Sequence, residues 1–197
     1  MKLYFAYGSN LHKRQMKWRC PKAVAVGAFF LDDAKLVFRG VADVVYSKGS
    51  RVPGGLWLIT DECEASLDRY EGVAGGMYRK VEVQLTEPIR GHDTIMFYVM
   101  NSEGIMPPSM GYLATIREGY RNFGLKQKPL RDAVEASHDE KNPSHIERQR
   151  YARNGRPPLA ERPSLKGKAP QKPATCCTQL SLDVVSRVRN ALCVYGD

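Results

Sequence analysis

The chain opens on a compact apolar and aromatic run, Lys2–Tyr7, that stops abruptly at Gly8-Ser9-Asn10. Such a run reads as a buried strand followed by a tight polar loop. Residues 11–19 then read as a basic helix stopped by Pro21. Short β-rich runs follow at Val24–Leu31, Lys35–Phe38, Asp43–Tyr46 and Gly55–Thr60. Asp32-Asp33, Gly40 and a turn segment over Ser47–Gly54 separate them, so close spacing predicts a small barrel or a strongly curled sheet. Asp61–Glu71 has helical spacing, with Asp61 and Glu64 in a capping-box pattern, Leu67 and Tyr70 on one face, and Gly72 as its stop. Met77–Leu85 alternates, with Val81, Val83 and Leu85 on one side and Lys80, Glu82 and Gln84 on the other. A turn at Ile89–Asp93 leads into Thr94–Met100, the second arm of a hairpin. Pro107-Pro108-Ser109 introduces a helix in which Tyr112, Ile116, Tyr120 and Phe123 recur at helical spacing, closed by Gly124.

Beyond about residue 138 the texture changes. Residues 141–175 carry six of the twelve prolines, many charges and few large apolar groups, which reads as disorder. Leu180, Val184, Val185, Val188 and Leu192 are spaced for a short terminal amphipathic helix, open to docking on the domain or pairing with another chain. The expected organisation is therefore one domain over residues 1–137 and a basic, Pro-rich tail over 138–197.

Composition narrows the class. At 197 residues and 43% apolar the chain is an ordinary globular one, and no apolar run is long enough for a membrane helix. The first residues are too soon interrupted for a signal peptide, so a cytoplasmic protein is expected. The net charge of +9 is concentrated locally: residues 141–172 hold nine basic side chains against two acidic ones. Counterion release could bring such a segment to nucleic acid, but it has almost no interleaved aromatics for bases to stack on. A solvated tail is the expectation, and nucleic acid is not an expected partner. The five cysteines include no CxxC pair and the four histidines show no metal spacing, so reduced thiols and neither metal nor cofactor are expected.

Three places carry candidate chemistry. Tyr7-Gly8-Ser9-Asn10 reads either as a cradle of backbone N–H groups for an anion or as an ordinary strand-to-helix turn capped by Ser9 or Asn10. Glu71 falls at the end of a helix, where the aligned peptide dipoles disfavour a carboxylate. It is therefore either a surface glutamate bearing a small penalty or, with ring-bearing neighbours excluding water, a base tuned toward neutral pH. Tyr78 and Tyr112 are either core residues or hydroxyls that orient a polar ligand. Cys63, in the helix leading to Glu71, is a further candidate nucleophile but has no histidine near it in sequence.

Taken in order, Phe5-Ala6-Tyr7-Gly8-Ser9-Asn10-Leu11, Leu67-Asp68-Arg69-Tyr70-Glu71-Gly72-Val73 and Gly76-Met77-Tyr78 resemble the signature of the gamma-glutamylcyclotransferase family. Phe38–Asp43, Val52–Trp57 and Pro107-Pro108-Ser109 with Tyr112 are similar too, so the resemblance spans residues 3–125. It implies an α+β fold, a small, mostly antiparallel β-barrel flanked by helices. It also implies a substrate-binding loop of Tyr7, Gly8, Ser9, Asn10 and Leu11, pocket tyrosines Tyr78 and Tyr112, and Glu71 as the acid/base. The implied substrate is a small gamma-glutamyl amide, whose α-amine closes on its own γ-carbonyl to release 5-oxoproline and an amine. That reaction needs no external nucleophile, because holding the chain folded supplies a large effective concentration. A non-catalytic binding protein on the same scaffold is the competing expectation.

Overall fold

A computed structural model of the chain describes residues 1–138. The predicted tail and its terminal helix lie outside these residues. Five strands and four α-helices make an α+β domain: β1 (Lys2–Ala6), α1 (Lys13–Arg19), β2 (Val24–Phe38), β3 (Ala42–Ile59), α2 (Asp61–Tyr70), β4 (Tyr78–Ile89), β5 (His92–Met100), α3 (Met110–Asn122) and α4 (Lys128–Ser137). Single 3-10 turns at Ser9–Leu11 and Val73–Gly75 precede α1 and β4. None of the helices among the described residues is long and apolar enough to cross a membrane.

The strands form one sheet in the order β2-β3-β1-β5-β4. β1 is central, antiparallel to β3 and parallel to β5, with Tyr4 opposite Trp57 on one side and Met96 on the other. A strand flanked on both edges and covered on both faces must be apolar throughout, which is why Leu3–Ala6 has no polar alternation and is buried. The expected barrel is an open sheet: β2 and β4 are its two free edges.

The four short strands expected between residues 24 and 60 are two long ones. β2 and β3 pair from Val24–Leu58 down to Phe38–Ala42; the break expected at Gly40 is the turn between them, whereas those expected at Asp32-Asp33 and Ser47–Gly54 fall within the ladder as an irregularity. Asp33 takes a left-handed conformation (φ 52°), and its carboxylate accepts a 2.7 Å hydrogen bond from the Gly49 N–H across the widened part of the hairpin. Pro53, Gly54 and Gly55 belong to the ladder and make no turn. A Cβ at Gly54 would collide with the Phe5 ring and the Ala6 carbonyl, and one at Gly55 with Phe123. Glycine here marks close approach between layers, a signal that in sequence looks the same as a turn.

The helices close the domain. α3 lies against the first 3-10 turn, where Gly119 admits Leu11 to the core. α4, which sequence periodicity missed, covers β2 with Leu130 and Ala133. The cap of α2 lies one residue before the predicted one: the Thr60 hydroxyl, not Asp61, accepts from the Cys63 N–H, while Asp61, Glu62 and Glu64 fill its acidic first turn. Gly72, left-handed at φ 65°, stops it and leaves Glu71 as its C-cap.

Candidate active site

The crossing of chain segments at the end of β1 builds the site. β1 delivers Tyr4, the segment just after it Tyr7 and Gly8, the 3-10 turn Ser9 and Asn10, and the C-cap of α2 Glu71. β4 opens with Tyr78, β5 contributes Tyr98, β3 begins with Ala42, and the first turn of α3 brings Tyr112. All ten line one cavity of about 30 Å³, the space of a single water molecule. Of the residues predicted from sequence, Tyr7, Gly8, Ser9, Asn10, Glu71, Tyr78 and Tyr112 thus come together. Leu11 does not line the cavity. Its side chain is fully buried against α3 and its N–H is spent on the Gly8 carbonyl at 3.0 Å, because the 3-10 turn rolls it inward.

Glu71 faces the loop. Its Oε1 accepts a 2.9 Å hydrogen bond from the Asn10 side-chain amide. Burial pushes the Glu71 carboxyl up to about 7, opposed by that hydrogen bond and by the positive charge of Arg19. Desolvation is therefore the main cause, in the direction that suits proton transfer near neutral pH. Around it stand phenols held in the neutral form by burial: Tyr4, Tyr7, Tyr78 and Tyr98 lie well above the ordinary tyrosine range, and Tyr112 is pushed up to about 12.

Backbone donors are present opposite the carboxylate, and one set is already in use. The Tyr112 hydroxyl accepts from the Ala42 N–H at 3.1 Å, and the Ser9 main chain lies beside it in the same cavity. Gly8 is what lets the phenol approach: a Cβ there would stand 3.1 Å from the Tyr112 oxygen and 3.5 Å from Ala42. Two further tyrosines are committed to the frame. Tyr7 donates to the Tyr98 carbonyl at 2.5 Å, and the Tyr98 hydroxyl donates to Asp68 at 2.8 Å. A buried ion pair fixes the far wall: Asp43 takes Arg39 Nε at 2.7 Å and the Met100 N–H at 3.0 Å, while Arg39 also holds the Gly104 carbonyl at 2.9 Å. This ties the loop that leads to Tyr112 to the end of β5.

Sequence reasoning missed Tyr4, Tyr98, Ala42 and Arg19. Tyr4 and Tyr98 were absorbed into strand patterns, and Arg19 into a run of basic residues. Their approach to Glu71 depends on pairing between distant segments, for which the local pattern carries no signal. Cys63 is buried and lies among the core side chains rather than in the cavity; Cys20, next to it, donates its thiol toward the Cys63 carbonyl at 3.5 Å.

Known proteins are similar to this chain in sequence and fold. The family described as "Gamma-glutamyl cyclotransferase, AIG2-like" matches residues 4–119. The gamma-glutamylcyclotransferase of Bos taurus is 35% identical over 135 residues, 62% of this chain and 72% of that protein. The Homo sapiens protein of the same name is 34% identical over 135 residues with the same coverage. A solved gamma-glutamyl cyclotransferase superposes with a TM-score of 0.59 at 29% identity, covering 78% of this chain and 99% of that one. A crystal structure of an uncharacterized Homo sapiens protein gives 0.58 at 32% identity, covering 68% and 86%. On the family match over residues 4–119 and the identity to these relatives, the chain belongs to the gamma-glutamyl cyclotransferase, AIG2-like family.

Proposed function

We propose that this chain converts a small gamma-glutamyl amide into 5-oxoproline and a free amine or amino acid, with Glu71 as the single acid/base. The observation that carries the reading is the Glu71 carboxyl: desolvated, pushed up to about 7, and held 2.9 Å from the Asn10 amide in the same cavity as the Gly8–Asn10 backbone.

The chemistry follows from the substrate's own geometry. Its α-amine is mostly ammonium at neutral pH and cannot attack. Glu71 as carboxylate takes one proton from it. The freed nitrogen lone pair forms a bond to the γ-carbonyl carbon, closing a five-membered ring, and the carbonyl oxygen becomes an oxyanion. As that oxyanion collapses, the bond to the leaving nitrogen breaks and Glu71 returns the proton to it; the ring nitrogen then gives up its second proton by way of the same carboxylate to the released amine, leaving a neutral lactam N–H and an ammonium product. No water is consumed, so the reaction is an intramolecular aminoacyl transfer. Folding the glutamyl chain between the loop and Glu71 is the larger part of the catalytic task, since well-oriented intramolecular attack reaches effective concentrations on the order of 10⁵–10⁸ M.

The Ser9 and Ala42 N–H groups are the anion donors of this scheme. In the free protein the Tyr112 hydroxyl holds the Ala42 N–H, and the substrate's carboxylate or developing oxyanion takes its place on binding. At about 30 Å³ the cavity is smaller than a glutamyl group, so on this reading the site widens as substrate enters, with Tyr112 giving up its place at the Ala42 N–H. The test is 5-oxoproline release from a panel of gamma-glutamyl amino acids and amines. Turnover of at least one member is expected, and Glu71→Gln should retain binding yet lose on the order of a thousandfold or more in kcat. A Glu71→Gln protein that keeps most of its rate would remove Glu71 from the mechanism.

A further inference from the structure

We infer that Arg19 is a positioning residue for this site: its guanidinium locks the Asn10 carboxamide in the one orientation that presents the amide NH₂ to Glu71. The inference rests on the reading of Glu71 as the base. Arg19 itself makes no hydrogen bond to that carboxylate among the described residues, and works through Asn10.

A carboxamide can be turned over with little change in shape, exchanging its oxygen and nitrogen. At Asn10 the choice has consequences on three sides. Oδ1 accepts from Arg19 Nη1 at 2.7 Å, and Nδ2 donates both to the Tyr4 hydroxyl at 2.8 Å and to Glu71 Oε1 at 2.9 Å. Turned over, the amide would set its N–H groups against a guanidinium that has only donors. It would also set its carbonyl against the Glu71 carboxylate. Arg19 makes that state costly, because a guanidinium cannot accept a hydrogen bond under any condition a protein meets.

Arg19 can hold Asn10 because it is itself held on every side. It ends α1, and its carbonyl accepts from Ser66 Oγ of α2 at 2.8 Å. Nη2 donates to the Tyr70 hydroxyl at 2.7 Å and to Gln15 Oε1 at 3.0 Å, and the guanidinium stacks on the Tyr70 ring at 3.8 Å. Tyr70 is the residue before Glu71. One side chain therefore grips both the loop that offers the amide and the chain segment that carries the carboxylate. A lysine would supply the charge but not the planar fork.

The titratable groups around Glu71 leave Arg19 as the cation of the site. Tyr4 and Tyr7 face it from β1, Tyr78 from β4, Tyr98 from β5 and Tyr112 from α3, all held neutral by burial, with Tyr70 beside it. Asp43 of β3 acts on Tyr7 and Tyr78, and its charge is paired with Arg39. Loss of Arg19 thus withdraws both a favourable charge and a correctly turned amide from the Glu71 carboxylate.

The experiment uses the full chain and the variants Arg19→Met and Arg19→Lys, with two readouts. Carboxyl-¹³C glutamate labelling follows Glu71 ionisation directly, its resonance assigned by loss in Glu71→Gln. The pH profile of kcat/KM follows catalysis on the best gamma-glutamyl substrate. In Arg19→Met the Glu71 titration is expected to move upward by about one pH unit. The acid limb of kcat/KM should move with it, and kcat near pH 7 should fall about tenfold while KM changes less than about threefold. Arg19→Lys should lie between Met and wild type in both readouts. Should Arg19→Met fail to fold, the lysine variant carries the same comparison. An unmoved Glu71 resonance, or complete rescue of both readouts by lysine, overturns the lock. A resonance that moves while the kcat/KM limb stays in place keeps the lock and overturns Glu71 as the base.

Discussion

At the scale of single residues, the decisive quantity is how much water Glu71 has lost. Its proton is held until about 7 in the folded protein, whereas an unfolded chain releases it near the ordinary carboxylate value of 4.5. Between those two values the folded state binds a proton that the unfolded state does not. Stability is therefore greatest below about pH 4.5 as far as this group is concerned, and declines as pH rises through about 7. Glu71→Gln keeps the shape and an acceptor for Asn10 while removing the charge. It should match wild type in thermal midpoint near pH 4.5 and exceed it at about pH 8.5, where the difference approaches about 2–3 kcal/mol. Thermal melts of both proteins across that range check it; a gap independent of pH would contradict the assignment. The catalytic counterpart has the opposite slope, since the base is useful only after losing its proton: kcat/KM should fall about tenfold per pH unit below about pH 7. The glutamate and its loop could be read from the sequence because each leaves a local mark, a carboxylate before a helix-stopping glycine and a glycine after an apolar run. Tyr4 and Arg19 leave none, since their meaning comes from Asn10, and Arg19 is further tied to Tyr70, a residue fifty-one positions away.

At the scale of elements, the site depends on how α2 ends. Gly72 takes a left-handed backbone at φ 65°, which turns the chain out of the helix and leaves Glu71 as the last residue before the bend. A Cβ at Gly72 would meet Met77 Sδ at 3.0 Å and its Cβ and Cγ at 3.3 Å. Gly72→Ala combines an unfavourable left-handed alanine, about 1 kcal/mol, with a push on the start of β4. The expected result is a lower denaturation midpoint by about 1–2 kcal/mol, with a fall in kcat larger than any rise in KM, because the carboxylate is displaced rather than the loop. Denaturant titration and steady-state kinetics on the same preparation measure both. In sequence α2 is marked by this stop and α3 by Pro107-Pro108-Ser109, where the Ser109 hydroxyl accepts from the Tyr112 N–H at 3.2 Å; α4 carries no such mark. The long β2–β3 hairpin carries none either. Asp33 and Gly54 look like punctuation, yet the first is a kink inside the ladder and the second is where the Phe5 ring presses on the backbone.

At the scale of the whole molecule, a site made from six separate segments stays assembled only if the sheet is held on both faces. β1 does this at the centre, and α4 does it at the β2 edge. Leu130 is 1% exposed and Ala133 6%, while Ser137 closes the helix with its hydroxyl on the Val134 carbonyl. Beneath them lie Ala34 and Leu36 of β2, buried in turn. No residue of the candidate cavity comes from α4, so its contribution to the site is support of the sheet. We therefore expect residues 1–138 to form an autonomous unit with kcat and KM within about twofold of the full chain. A chain ending at Gln127 loses α4 and should be destabilised by several kcal/mol, since burying one leucine side chain is worth about 1.5–3 kcal/mol and α4 shields β2 as well. Paired truncations decide the matter through thermal midpoints and 5-oxoproline release. If the longer truncation, 1–138, is as crippled as the shorter one, residues after His138 take part in holding the fold, and the boundary placed there is wrong.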